Sequence, residues 1–171
     1  MTESINKKET NHRSTARRVL TGLEYMRMLA SGELEPSGMA ELMGFRLIEV
    51  NEGHAVFAIE PDERHYNGLG IAHGGLAATI LDSATGCAIN TMMPAGRIFT
   101  TLEMKINFVR PIKRETGEVL CEAHVIHVGS RIATADGRIV DRQGKLYAHG
   151  SATCILFLPA SDRSASDYAE D

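Results

Sequence analysis

Cysteine is scarce and poorly placed for cross-linking: Cys87, Cys121 and Cys154 are odd in number and more than thirty residues apart, which fits neither a disulfide framework nor a paired zinc knuckle. Reduced thiols are expected. No charge-free apolar run reaches the roughly 18 residues that span a bilayer, and residues 1–13 lack the apolar stretch of a signal peptide. A soluble cytoplasmic protein without a membrane partner is the expectation. Excess positive charge is missing as well. A formal net charge of −4 gives no general attraction to nucleic acid, although it leaves room for a local basic patch that meets a phosphate-bearing ligand. There is no Gly-x-x-x-x-Gly-Lys run, no Gly-x-Gly-x-x-Gly fingerprint and no internal repeat, which weakens any nucleotide-phosphate cradle and any solenoid.

What is present suits one domain. The 171 residues, 43% hydrophobic and 23% charged, can bury a substantial core without metal or disulfide staples. Residues 1–15 read as a polar, disordered leader, 16–159 as a single folded domain, and 160–171 as a disordered acidic tail. From Ala16 to about Leu34, apolar residues recur near helical spacing and predict one amphipathic helix. Gly44 to Val50 and His54 to Ile59 read as a hairpin closed by Asn51-Glu52-Gly53. A long helix begins at the Gly74-Gly75 pair and is stopped by Pro94. Leu102, Met104, Ile106 and Phe108 then alternate with polar residues, which predicts a strand with those four on its core face. Strands follow at Glu118–Val128, Arg131–Asp141 and Lys145–Leu158, the last two joined by a turn at Asp141-Arg142-Gln143-Gly144. This order is α+β, a sheet with one helix packed on it.

Asp82 is the only charged residue between His73 and Ile89. Its helical neighbours Ala78, Thr79, Thr85 and Gly86 are small and uncharged, and no Lys or Arg in the run can pair with it. A carboxylate there is expected to be desolvated, a cost that proteins tend to retain in clefts.

In Asn67-x-x-Gly70-x-x-His73-Gly74-Gly75 followed by Asp82, the chain resembles the hotdog-fold acyl-CoA thioesterases of the phenylacetate-degradation-related type, over roughly Met43 to Leu158. The resemblance implies a curved antiparallel sheet wrapped around one central helix, here with an extra N-terminal helix. It also implies dimers that join sheets edge to edge and often pair into tetramers. It assigns Asp82 as general base or nucleophile, and matches Asn67, Gly74 and, more loosely, Thr101 to the other catalytic positions. The implied reaction hydrolyses an aryl- or short- to medium-chain acyl-CoA, with coenzyme A as part of the substrate and no other cofactor. A non-catalytic acyl-CoA-binding hotdog protein would lack the helix acid. A hotdog hydratase or dehydratase would carry a histidine–acid pair in a differently spaced motif.

The same residues can be read as chemistry. Glycines at 74 and 75 leave the first helical N–H groups pointing outward at the positive helix end. They could polarise a thioester carbonyl, cradle an anion, or merely start a helix. Gly74 and Asp82 lie about 12 Å apart along one helix, so both meet one carbonyl only if two chains contribute. Asn67 is either a turn residue or an amide donor, and Thr101 is either an ordinary strand residue or a group that steadies Asp82 across a subunit interface. His73 reads as a structural hydrogen-bonder at the helix entry; His73, Gly75 and Ser83 are also substrate-binding candidates. Arg64, Lys113, Arg114, Arg131 and Lys145 are candidates for the coenzyme A phosphates. Ile80, Met92, Met93, Phe99 and Phe108 could line an acyl tunnel. His124 and His127, three apart on a strand, should fall on opposite faces, so no metal site is expected.

Overall fold

The computed structural model describes residues 16–158; the expected leader and acidic tail lie outside the described residues. Six strands form one antiparallel sheet: β1 (Arg46–Asn51), β2 (His54–Ile59), β3 (Ile98–Phe108), β4 (Val119–Val128), β5 (Ile132–Asp141) and β6 (Leu146–Phe157). Their spatial order is β1-β2-β4-β5-β6-β3, which leaves β1 and β3 as edges. The helices α1 (Gly22–Ser31), α2 (Gly38–Met43) and the central α3 (Gly74–Thr91) accompany them. The sheet curves around α3, giving the α+β hotdog architecture that the resemblance implies. No helix among the described residues is long and apolar enough to cross a membrane.

Helix α3 is apolar around most of its circumference because most of it is buried, with Leu76, Ala77, Ile80, Leu81, Ala84, Ala88 and Ile89 all in the core. The facing sheet interleaves small residues, among them Ala55, Ala123, Ala135 and Ala148, with larger ones such as Phe57, Ile59, Val119 and Ile139. At Gly137 a Cβ would stand 3.0 Å from Leu81 and 3.3 Å from Thr85. Two threonine hydroxyls inside the helix are satisfied locally, Thr85 donating to the Leu81 carbonyl at 2.8 Å and Thr91 to that of Ala88 at 2.6 Å. Thr91 also accepts from the Gly53 N–H at 2.7 Å, tying the β1–β2 turn to the helix end.

Three expectations change. The single helix predicted from Ala16 to Leu34 is broken. Thr21 forms a capping box with Glu24 and starts α1, Gly32 ends it in the left-handed conformation (φ 81°), and α2 follows separately behind the cap at Ser37. On β3, Met104 and Ile106 do pack on the core, but Leu102 and Phe108 are 57% and 60% exposed. The pairing with β6 slips between Thr101 and Glu103, and this bulge turns Leu102 outward. A second slip between Val125 and His127 sets His124 opposite Asp136 and His127 opposite Thr134, so the two histidines share a face. His124 stacks on His54 with ring centres 4.4 Å apart. Among the described residues no group of three or more His, Cys, Asp or Glu could hold a metal ion.

Helix α1 is pinned to α3 where the chains touch backbone to backbone. The Gly22 N–H donates to the Met93 carbonyl at 2.9 Å, and a Cβ at Gly22 would stand 1.6 Å from the Asn90 carbonyl oxygen. Backbone cannot give way as a side chain can. Gly22→Ala is expected to cost about 1–3 kcal/mol, a fall of roughly 3–10 °C in Tm, and to expose the α1 amides to hydrogen exchange. Unchanged Tm and unchanged protection over residues 22–31 would contradict this contact.

Candidate active site

Asp82 sits midway along α3 on the strip of helix that the sheet leaves uncovered. Contrary to the expectation of a desolvated carboxylate, it is exposed in the single chain. Its position is nonetheless set: the Thr101 hydroxyl donates to Asp82 Oδ1 at 2.8 Å, and Oδ2 has no hydrogen-bond partner among the described residues. The contact is made within one chain, not across an interface as considered above, because the β3 bulge aims Thr101 at the helix. Thr101 is paired in the sheet with Cys154, whose buried Sγ lies 3.8 Å from the threonine oxygen. Burial pushes the Cys154 thiol up, so it remains protonated and can donate weakly to an oxygen whose own proton is committed to Asp82.

The start of α3 is a second polar centre. His73 is the N-cap, and its Nδ1 accepts from the Gly75 N–H at 2.9 Å. Gly75 is therefore occupied, whereas the Gly74 N–H has no hydrogen-bond partner among the described residues. The Phe108 ring lies against Gly74, 3.2 Å from where a Cβ would stand. Asn67 closes the preceding loop: its N–H donates to Ile71, its carbonyl accepts from Gly70 at 2.9 Å, and its Oδ1 accepts from the Leu69 N–H. That is turn chemistry, and it leaves the Nδ2 donors without a partner among the described residues.

Sequence reasoning passed over His65, which braces this loop. Buried at 5% exposure, it accepts from the Asp62 N–H at Nδ1 (2.9 Å) and faces the Met43 carbonyl with Nε2 (2.9 Å). Its own carbonyl accepts from the His73 N–H at 2.7 Å. The Asp62-x-x-His65 spacing was its only signal.

The basic candidates divide. Arg64 is held by Asp62, with Nη2 to Oδ2 at 2.7 Å, and this pairing holds the Asp62 carboxyl down at about 2. Arg114 pairs with Glu63, and Lys113 stands 3.6 Å from Glu115. The loop carrying Lys113 and Arg114 adjoins the helix start, since the Ala72 N–H donates to the Ile112 carbonyl at 2.8 Å. Lys145 lies 5.9 Å over the Tyr147 ring, in the turn next to Arg110, whose guanidinium donates to the Leu146 carbonyl at 2.7 Å. Arg131 does not join them, because the length of β5, about 30 Å, separates it from Lys145.

Beside Asp82 a cleft of about 610 Å³ opens between α3, β1, β2, β3 and the α1–α2 segment. Asp82, Ser83 and Thr101 line it, with Phe99, Met26 and Leu29 among its apolar walls. Of the five residues expected to form an acyl tunnel, only Phe99 takes part. Ile80 and Met93 are 1% and 3% exposed within the core, Met92 lies by Gly53, and Phe108 covers Gly74. Hydrophobicity selected these residues, but the direction in which each turn of α3 faces decides which can meet a ligand.

The thioesterase superfamily model matches residues 69–148, a span that includes Gly74, Asp82 and Thr101 and begins just after Asn67. A solved variant of the phenylacetic acid degradation protein PaaI from Thermus thermophilus is 30% identical, superposes with a TM-score of 0.62, and is matched over 68% of this chain and 96% of that one. Acyl-coenzyme A thioesterase 13 of Homo sapiens is 29% identical over 109 residues, 63% of this chain and 76% of that protein. The 1,4-dihydroxy-2-naphthoyl-CoA hydrolase of Listeria monocytogenes is 26% identical over 119 residues, 70% of this chain and 95% of that protein. With its carboxylate on the central helix and its glycine-led helix start, the chain belongs to the thioesterase superfamily, as a hotdog-fold thioester hydrolase of the PaaI type.

Proposed function

We propose that this protein hydrolyses an aryl- or short- to medium-chain acyl-CoA to the free acid and coenzyme A, with water as co-substrate and no further cofactor. The observation that carries the reading is the Asp82 carboxylate, oriented by Thr101 and open at Oδ2, at the rim of an apolar cleft. The names of the human and Listeria relatives support a coenzyme A thioester as substrate. Three free thiols suit a reducing compartment, and we assign the protein to the cytoplasm.

Asp82 acts as base or nucleophile. As base, it takes a proton from water while the oxygen attacks the thioester carbon; as nucleophile, Oδ2 attacks directly and water then cleaves the anhydride. Either way the carbonyl oxygen becomes an oxyanion, the C–S bond breaks, and the coenzyme A sulfur leaves and is protonated. The Gly74 N–H is the donor for the oxyanion, a contribution commonly worth about 3 kcal/mol. It comes from a second copy, since eight residues of helix hold Gly74 and Asp82 of one chain about 12 Å apart. The free edge of β3, with Leu102, Phe108 and Val109 exposed along it, supports an edge-to-edge homodimer, and dimers of dimers extend it. Asn67 supplies its free Nδ2 to the same site. Lys113, Arg114 and Lys145, joined by Arg110, form the rim for the coenzyme A phosphates; the exposed ion pairs of Lys113 and Arg114 are weak enough to be exchanged for a phosphate.

Asp82→Asn is expected to lower kcat by far more than tenfold while leaving fold and acyl-CoA affinity nearly intact, read by free-thiol release and calorimetry. Retention of a tenth of the wild-type kcat would remove Asp82 from the chemistry. Single turnover in ¹⁸O water, followed by mass spectrometry of the peptide containing residue 82, separates nucleophile from base.

Thr101→Val should reduce kcat about 10- to 100-fold, the usual value of a hydrogen bond to a charged group, and Thr101→Ser should restore most of it. Equal rates for Val and Ser would mean that the hydroxyl is idle.

Gly74→Pro keeps a helix start, because proline is tolerated at the first helical position, but removes the N–H. Asp82→Asn and Gly74→Pro chains should each be nearly inactive alone. Unfolded and refolded together, they should recover about a quarter of wild-type activity, since half the dimers are mixed and each carries one intact site. Verified mixed dimers without recovery would place both groups in one chain's site.

A further inference from the structure

We propose that the cleft beside Asp82 holds a linear medium-chain acyl group of about eight to ten carbons, and that helix α1 sets this length. The inference rests on Asp82 being the group that acts on the thioester. Helix α1 lies outside residues 69–148, the span matched by the superfamily model.

On α3 the cleft is lined by Asp82, Ser83, Gly86, Cys87 and Asn90, positions that fall along one face of a helix. From Asp82 to Asn90 that face runs about 12 Å toward the helix C-terminus. A fully extended chain advances about 1.2 Å per bond, so the slot takes eight to ten carbons end to end, and an arylacetyl group would fill only half of it. Gly86 keeps it open: a Cβ there would stand 2.9 Å from the Phe99 ring and drive that ring inward. Burial pushes the Cys87 thiol up to about 12, so Cys87 is a neutral, weakly polar wall and not a competing nucleophile.

Helix α1 supplies the opposite wall through Met26 and Leu29. Tyr25, with the Arg17 guanidinium 4.5 Å from its ring centre, stands beside Asn90 and closes the far end. A longer chain would have to displace a cation from its aromatic partner. The wall is fixed because Gly22 is seated against the backbone of Asn90 and Met93.

The test is a series of linear acyl-CoAs from butyryl to hexadecanoyl, with phenylacetyl-CoA beside them. For wild type, kcat/KM should rise up to about fourfold per added methylene, peak near ten carbons and then fall. Leu29→Trp, which narrows the slot, should lower the decanoyl-to-butyryl ratio of kcat/KM at least tenfold, and Tyr25→Ala, which opens its far end, should move the peak to longer chains. If Leu29→Trp does not fold by circular dichroism, Leu29→Phe takes its place with the same direction of change. A ratio unmoved in these variants, or a wild-type preference for phenylacetyl-CoA over every linear chain, would overturn the proposal. If wild type releases thiol from none of these substrates, the reading of Asp82 fails and binding decides the slot by itself. Calorimetric binding of decanoate by wild type that is weakened in Leu29→Trp then supports the slot, and no binding by wild type refutes it.

Discussion

Close contact between helix α3 and the sheet is the constraint on which the rest depends. Alanines on both surfaces and Gly137 on β5 bring the backbones together, and each fully buried leucine or isoleucine along the seam is worth roughly 1.5–3 kcal/mol. The ends of the helix are secured by side chains drawn from outside its hydrogen-bond ladder, the His73 ring at the start and the Thr91–Gly53 contact at the finish. A helix fixed in rotation and in both ends presents the same few residues to ligand at all times. That is the preorganisation a carboxylate needs if it is to act without first being moved into place.

Only one strip of α3 escapes the sheet, and α1 covers it incompletely. Different features are spaced along a single helix: its first turn carries an N–H without a partner among the described residues, its middle an oriented acid, and its second half one wall of an apolar cleft. These groups are stacked along an axis and do not converge within one chain, which is why the proposed mechanism draws on a second copy, and β3 is a free sheet edge.

Much of this was legible in the sequence, for identifiable reasons. Period and punctuation sufficed for α3 and all six strands, since Gly74-Gly75, Pro94, Asn51-Glu52-Gly53 and the turn at residues 141–144 mark element ends whatever the tertiary context. The oddity of Asp82 in an apolar run was also visible, though its exposure was not: spacing tells which residues share a helix face but not which face the sheet covers. Two bulges defeated simple alternation. Each inserts one residue in a strand, so Leu102 turned outward and His124 and His127 came to one side, and nothing in their composition announces it. The break at Thr21 did carry a signal, Thr21-x-x-Glu24, but the apolar periodicity running through it masked the cap. Basic side chains were the least legible, because Arg64 and Arg114 are committed to neighbouring acids by loop geometry that only the folded chain defines.

The bulge at Thr101 has a consequence for how such a protein can change over time. One extra residue in β3 simultaneously aims a hydroxyl at the acid and swings Leu102 to the free edge. The Thr101–Asp82 contact and the exposure of Leu102 therefore meet at the same backbone irregularity. Loss of Leu102 would remove the bulge and an apolar side chain from the surface while leaving Thr101 opposite Cys154. One inserted residue thus decides what the strand exposes at this point, while the pairing of Thr101 with Cys154 does not depend on it.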